Sequence, residues 1–206
     1  DMRYRQADAY LLSLVYPSPL AQLTLKDQEI ILGIVKKLQR PAGILRYEND
    51  SYQSGNYWIS DPSHFSEEQS SLPTLTGDAS TPEGHQERLK NFIPQTEAQW
   101  FFDSFLCLSH LKIGQISDQN DQRMAHRHQA VIYFKRALGQ ITGEFDSVPL
   151  IAADGSTVSP FLLPESINIL ILEGKKYFLP SPILPLNWAK AKMMLAIHEL
   201  EKAFQQ

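Results

Sequence analysis

The window from Thr96 to Lys112 constrains this chain most. It carries Trp100, Phe101, Phe102, Phe105, Leu106, Leu108 and Leu111, the strongest helical signal in the sequence, with Gly114 as its cap. Other segments supply helices to pack with it. Asp8 to Tyr16 carries Ala9, Leu11, Leu12, Leu14 and Val15, too apolar for a solvated helix, and Pro17-Ser18-Pro19 ends it. Thr24 reads as the N-cap of a helix through Gln39. Asp27 gives it an imperfect capping box, Ile30, Ile31, Ile34, Val35 and Leu38 form its buried stripe, and Pro41 stops it. Asp118 or Asp121 opens a further helix, with Ala130, Val131, Phe134, Ala137, Leu138 and Ile141 inward and Gly143 at its end. Leu186 to Phe204 closes the chain as an amphipathic helix.

Between the helices, residues 60–91 are rich in Ser, Pro, Glu, Gly and Thr and read as a long loop with a mobile part. Asp146 to Pro185 is irregular, with short extended runs, Val148–Ala152 and Ile167–Leu172, able to pair as a small hairpin. Long helices joined by irregular loops predict an all-α fold that carries its chemistry on the loops.

A chain of 206 residues can hold one sizeable core, so residues 1–206 are read as part of a single domain. A net charge of -4 and the lack of a Lys/Arg run argue against a nucleic-acid partner. No apolar run reaches bilayer length and no signal peptide opens the chain, so no membrane partner is expected. Asp1 in place of Met leaves room for sequence upstream. Cys107, the single cysteine, reads as a small buried hydrophobe, and the lack of a disulfide partner suits a reducing cytoplasm. His126 and His128 are two positions apart and face apart on a helix. His64, His85, His110 and His198 have no ligand spacing. No metal site and no cofactor are expected, and there is no Walker loop, dinucleotide fingerprint or nucleophile elbow.

The densest chemistry lies between Arg46 and Trp58. Arg46, Tyr47, Glu48, Asp50, Tyr52, Tyr57 and Trp58 surround a Gly55-Asn56 turn. Hydroxyl groups of a sugar need charged, geometrically fixed hydrogen-bond partners, and the apolar faces of a pyranose need flat aromatic surfaces. A surface ion pair between Arg46 and Asp50 is the plain alternative, but aromatic residues without helical or strand period are hard to place in a core. Glu165 follows Phe161-Leu162-Leu163-Pro164. An acid at the edge of an apolar wall is a candidate general base, against the commoner case of a solvated loop glutamate. Glu97 suits the positive end of its helix, and Trp100 and Trp188 are more often core than ligand platform.

The order of these pieces resembles glycoside hydrolase family 15, the glucoamylases, and the related regulatory α/β subunits of phosphorylase kinase. Arg46, Tyr47, Asp50, Tyr52, Gly55, Asn56 and Trp58 match a glucoamylase segment of the form R-Y-x-x-D-x-Y-x-x-G-N-x-W. Pro164-Glu165-Ser166 resembles that family's acid-bearing loop, and Leu186-Asn187-Trp188 the start of its last helix. The flanks are similar to the kinase subunits: Asp8-Ala9 with Leu11-Leu12 and Tyr16-Pro17, Glu29-Ile30-Ile31 with Leu38-Gln39, Glu97 with Trp100, and Leu162-Leu163-Pro164-Glu165. Ser166 stands where glucoamylases commonly have glutamine, and Tyr57 where they have proline.

The resemblance implies an (α/α)6 toroid, here its C-terminal half, with the N-terminal half and its general acid missing from this chain. It implies inverting hydrolysis of α-glucosidic bonds at the non-reducing end of an oligosaccharide or α-glucan. Glu165 would be the general base, Arg46 and Asp50 would bind the terminal glucose, and Tyr47, Trp58 and Trp188 would shape the walls. Inverting glycosidases separate their two carboxyls by roughly 6.5–9.5 Å to admit the water. The alternative is a non-catalytic glucan-binding or regulatory module working through a protein partner.

Overall fold

The computed structural model describes residues 7–17, 22–50, 82–83, 86, 97–143, 159–172, 174–181 and 183–205. Its helices are a short 3-10 turn at Ala9–Leu14, then α1 (Leu25–Lys36), α2 (Phe102–Ile116), α3 (Asn120–Leu138) and α4 (Asn187–Gln205). Its strands are β1 (Gln39–Arg40), β2 (Gly43–Ile44), β3 (Gln99–Trp100), β4 (Ser166–Leu172) and β5 (Lys175–Pro180). They form one five-stranded antiparallel sheet in the order β1-β2-β3-β4-β5.

That sheet overturns the all-α toroid expected from the sequence, because the described fold is mixed helix and sheet. The physical reason lies at the edges of the helical patterns. The apolar window at 96–112 does not start as a helix: Gln99 and Trp100 pair with Ile167 and Ser166 on one side, and Trp100 with Ile44 on the other. Likewise α1 stops at Lys36, and Gln39 turns into β1 ahead of Pro41. Runs of two residues carry no detectable period, so they vanish inside neighbouring helical signals. Ile167–Leu172 does form a hairpin strand, but its partner is Lys175–Pro180 across a turn with Gly174 at φ +77°. The proposed partner at Val148–Ala152 lies outside the described residues.

Helix α2 is the centre of the core. Phe102, Phe105, Leu106, Cys107, Leu108, Leu111 and Ile113 are all buried, so it is apolar nearly all round, as a central helix must be. It packs as an antiparallel-type hairpin with α3 and also meets α4 and α1. The α1 cap is a full capping box: Asp27 N donates to Thr24 Oγ1 at 3.2 Å and Thr24 N to Asp27 Oδ2 at 2.9 Å. Its buried stripe is Gln28, Ile31, Leu32 and Val35, while Ile30 is exposed. Gly114 is inside α2 rather than at its end, where a Cβ would lie 3.4 Å from His126 Cβ. Leu138 is exposed, and α3 buries only Ala130, Tyr133 and Ala137.

One polar clamp ties the β1–β2 turn to the helices. Arg136 Nε donates to Asp103 Oδ1 at 2.7 Å, and its Nη2 donates to the carbonyls of Arg40 (2.7 Å) and Gly43 (3.2 Å). Gln140 Nε2 donates to the carbonyls of Ala42 and Trp100, and Ala42 N donates to Gln99 Oε1. Gly43 is required there, since a Cβ would lie 2.6 Å from the Trp100 carbonyl oxygen and 2.7 Å from Gln140 Nε2. No helix among the described residues is long and apolar enough to cross a membrane.

Candidate functional site

Trp100 organises the site. Its backbone is held between Ile44 and Ser166, so its indole has a fixed position. Indole Nε1 donates to Asp50 Oδ2 at 3.0 Å. Asp50 also receives Arg46, Nε to Oδ2 at 2.6 Å and Nη2 to Oδ1 at 2.8 Å, a two-pronged pair. The guanidinium lies over the Trp100 ring at 4.2 Å and near Tyr47 at 5.5 Å. Asn49 makes this local geometry possible. Its φ of 59° is tolerated by asparagine and turns the chain so that Asp50 faces back to Arg46. Backbone bonds pin both ends: Ala9 N donates to the Arg46 carbonyl and Ala98 N to the Asp50 carbonyl, each at 2.8 Å.

Asp50 is fully buried, and Arg46 keeps 19% of its side-chain surface. Burial alone pulls the Arg46 pKa down, but the hydrogen bond and charge of Asp50 raise it, so the cation is secure. Within this arrangement Asp50 holds and orients Arg46, and Arg46 is the part that reaches the surface. Tyr47 is buried, and so is Trp100, as its core reading expects.

Glu165 reaches the same place from another segment. Thr142 grips the chain before it: Thr142 N donates to the Leu162 carbonyl, Phe161 N to the Thr142 carbonyl and Leu162 N to Thr142 Oγ1, at 2.8, 2.7 and 2.8 Å. Phe161 is held at φ 62° with 73% exposure, a strained backbone for a bulky residue that these bonds impose. Glu165 N then donates to the Ile183 carbonyl, and the next residue, Ser166, pairs with Trp100. Glu165 is therefore one residue before β4, the strand that pairs with the indole-bearing β3.

Tyr10 joins the two segments. Its phenol pKa is raised, first by burial; the Arg46 charge lowers it, and Asp8, Glu165 and Asp50 raise it further. Arg46, Asp50 and Glu165 thus all act on one hydroxyl. The Tyr10 ring stacks on Trp188 (centroids 6.3 Å, 27°), and Trp188 meets Phe101 and Phe105 edge-on at 5.1 and 5.8 Å. Tyr10 and Trp188 are 45% and 41% exposed, so they form an aromatic surface beside the guanidinium. Trp188 is a half-exposed platform rather than a core residue.

The structure therefore groups Arg46, Tyr47 and Asp50 around Trp100, while Trp188 stacks on Tyr10 and Glu165 is linked to that phenol through its charge. Trp58, with Tyr52, Gly55, Asn56 and Tyr57, lies outside the described residues. Sequence reasoning missed Tyr10, read only as part of a helical stretch. The available signal was that Tyr10 interrupts the apolar residues of that stretch with a hydroxyl. No protein-family model, curated protein or solved structure matches this chain.

Proposed function

We propose that this cluster binds the non-reducing end of an α-glucan or oligosaccharide, and that Glu165 activates water for inverting cleavage of the α-glucosidic bond. The observation that carries the reading is the Arg46–Asp50 pair over Trp100 beside the exposed Tyr10–Trp188 rings, with the Glu165 charge felt at the Tyr10 phenol. A locked guanidinium supplies in-plane donors to vicinal hydroxyls, and the two rings supply flat apolar faces for the sugar. The likeness of residues 46–58 to the glucoamylase segment supports the same chemistry. A general acid would have to come from elsewhere than Asp50 and Asp8. Asp50 is given to Arg46 and Trp100, and Asp8 caps the 3-10 turn through Tyr10 N at 2.9 Å.

That commitment of Asp50 and Asp8 favours a second reading, recognition of the glucan without turnover, in a regulatory module that works with a protein partner. One experiment separates them. Glucose release from maltooligosaccharides is followed alongside calorimetric binding of the same sugars. Under the enzyme reading, Glu165→Gln lowers turnover by roughly 10²–10⁴-fold and leaves binding in place. Binding without any turnover in the unsubstituted protein supports the module. Absence of binding rejects both.

A further inference from the structure

His110 and His126 share no helix, yet the packing of α2 against α3 brings them together. Their Nδ1 atoms are 2.9 Å apart. Their ring centres are 5.2 Å apart, which is that distance plus one ring radius at each end. The two nitrogens therefore point straight at one another. Lone pairs opposed along one short line cannot converge on a metal ion, so the contact is an N–H···N hydrogen bond.

The surroundings decide where the hydrogen sits. His126 Nε2 lies 3.5 Å from Glu29 Oε1 on α1. A carboxylate only accepts, so Nε2 keeps its hydrogen, and a neutral His126 has a bare Nδ1. The bonding hydrogen then belongs to His110 Nδ1, and His110 Nε2 is bare. The His110 ring stacks on Tyr133 at 5.4 Å and 16°. Burial drives its pKa down to about 3, with His126 and Lys36 adding to the effect. Glu29 and Lys36 from α1, His110 from α2, and His126 and Tyr133 from α3 are the titratable groups on the wall of a cavity of about 200 Å³.

We propose that Glu29, His126 and His110 form a single-proton switch on this wall. A proton that arrives at His110 Nε2 forms an N–H bond there. The His110 Nδ1–H bond breaks and its hydrogen forms the new bond at His126 Nδ1. The positive charge rests on His126 beside Glu29, and His110 stays neutral in its other tautomer. A second proton is refused, because two N–H groups would then face each other across 2.9 Å. The uptake turns His110 Nε2 from acceptor to donor and makes the Glu29–His126 contact an ion pair that ties α1 to α3.

Long-range proton–nitrogen NMR of the full chain, between about pH 8 and pH 4.5, reads tautomer and charge for each ring. The expected result is one shared midpoint: His110 passes from Nδ1–H to Nε2–H as His126 becomes imidazolium. Glu29→Gln, at a 39%-exposed position, lowers the shared midpoint by about tenfold in proton affinity. A His110 tautomer that stays fixed while His126 titrates overturns the switch, as do two separate midpoints. So does stoichiometric zinc or nickel binding at neutral pH that perturbs both Nδ1 signals.

Discussion

Among the described residues are two arginine–aspartate pairs that are nearly the same object. Arg46–Asp50 and Arg136–Asp103 have contacts of 2.6 and 2.7 Å, arginine side chains 19% and 21% exposed, and aspartates with no exposed surface. What surrounds each arginine differs. Arg136 spends its other donors on the Arg40 and Gly43 carbonyls, so it works as a clamp on the β1–β2 turn. Arg46 lies flat over Trp100, with the aromatic surface of Tyr10 and Trp188 beside it. Carbonyl neighbours mark a cation that closes a fold. Ring neighbours hold a cation flat against an aromatic face.

Substitutions that treat the two pairs alike will separate them. Arg136→Ala strands the buried Asp103 carboxylate and the two carbonyls, and urea unfolding is expected to show a loss of about 3–5 kcal/mol. An unchanged midpoint would break the clamp half of the comparison. Lysine at each site keeps the charge and removes the fork. Arg46→Lys is expected to weaken maltooligosaccharide binding by about tenfold or more, whereas Arg136→Lys leaves binding constants alone and lowers stability. Equal effects of both on binding would erase the distinction.

Glycines sharpen the clamp further. Gly43→Ala pushes a methyl group into the Trp100 carbonyl and Gln140, and is expected to cost about 1–3 kcal/mol. Gly33→Ala in α1 meets nothing within 4 Å and is expected to gain about 0.5–1 kcal/mol in the same measurement.

The remaining tests concern pH. Burial lifts the Asp103 carboxyl from 3.8 to about 6, against the pull of Arg136. The fold then binds this proton better than the unfolded chain, so its contribution grows as pH falls through about 6 and is complete below the unfolded value. His110 has the opposite sign. Its pKa falls from 6.5 to about 3, so the unfolded chain takes the proton first and stability is lost as pH drops through that window. The slope of the urea midpoint between pH 6 and pH 4 should steepen in Asp103→Asn and flatten in His110→Phe.

The helices were legible because each buries a stripe of apolar residues several turns long. Thr24 and Asp27 announced the start of α1 by side-chain chemistry alone. The sheet was not legible, since β1, β2 and β3 hold two residues each, and β2 and β3 are joined only through partners far along the chain. The site was half legible. Arg46, Asp50 and Glu165 stood out as polar chemistry among aromatic or apolar neighbours. Tyr10 did not, because its role comes from Arg46 and Trp188 beside it, and such proximity is a property of the packed chain. The pairing of His110 with His126 was hidden for the same reason, being made between two helices.

The brevity of β3 has a mechanical corollary. Two residues bridge the short turn on one side and the long hairpin on the other, and one of them also supports the guanidinium through its indole. A load applied at Arg46 therefore bears on a rivet common to both flanks, and the carboxylate at the head of β4 is fastened to that same rivet.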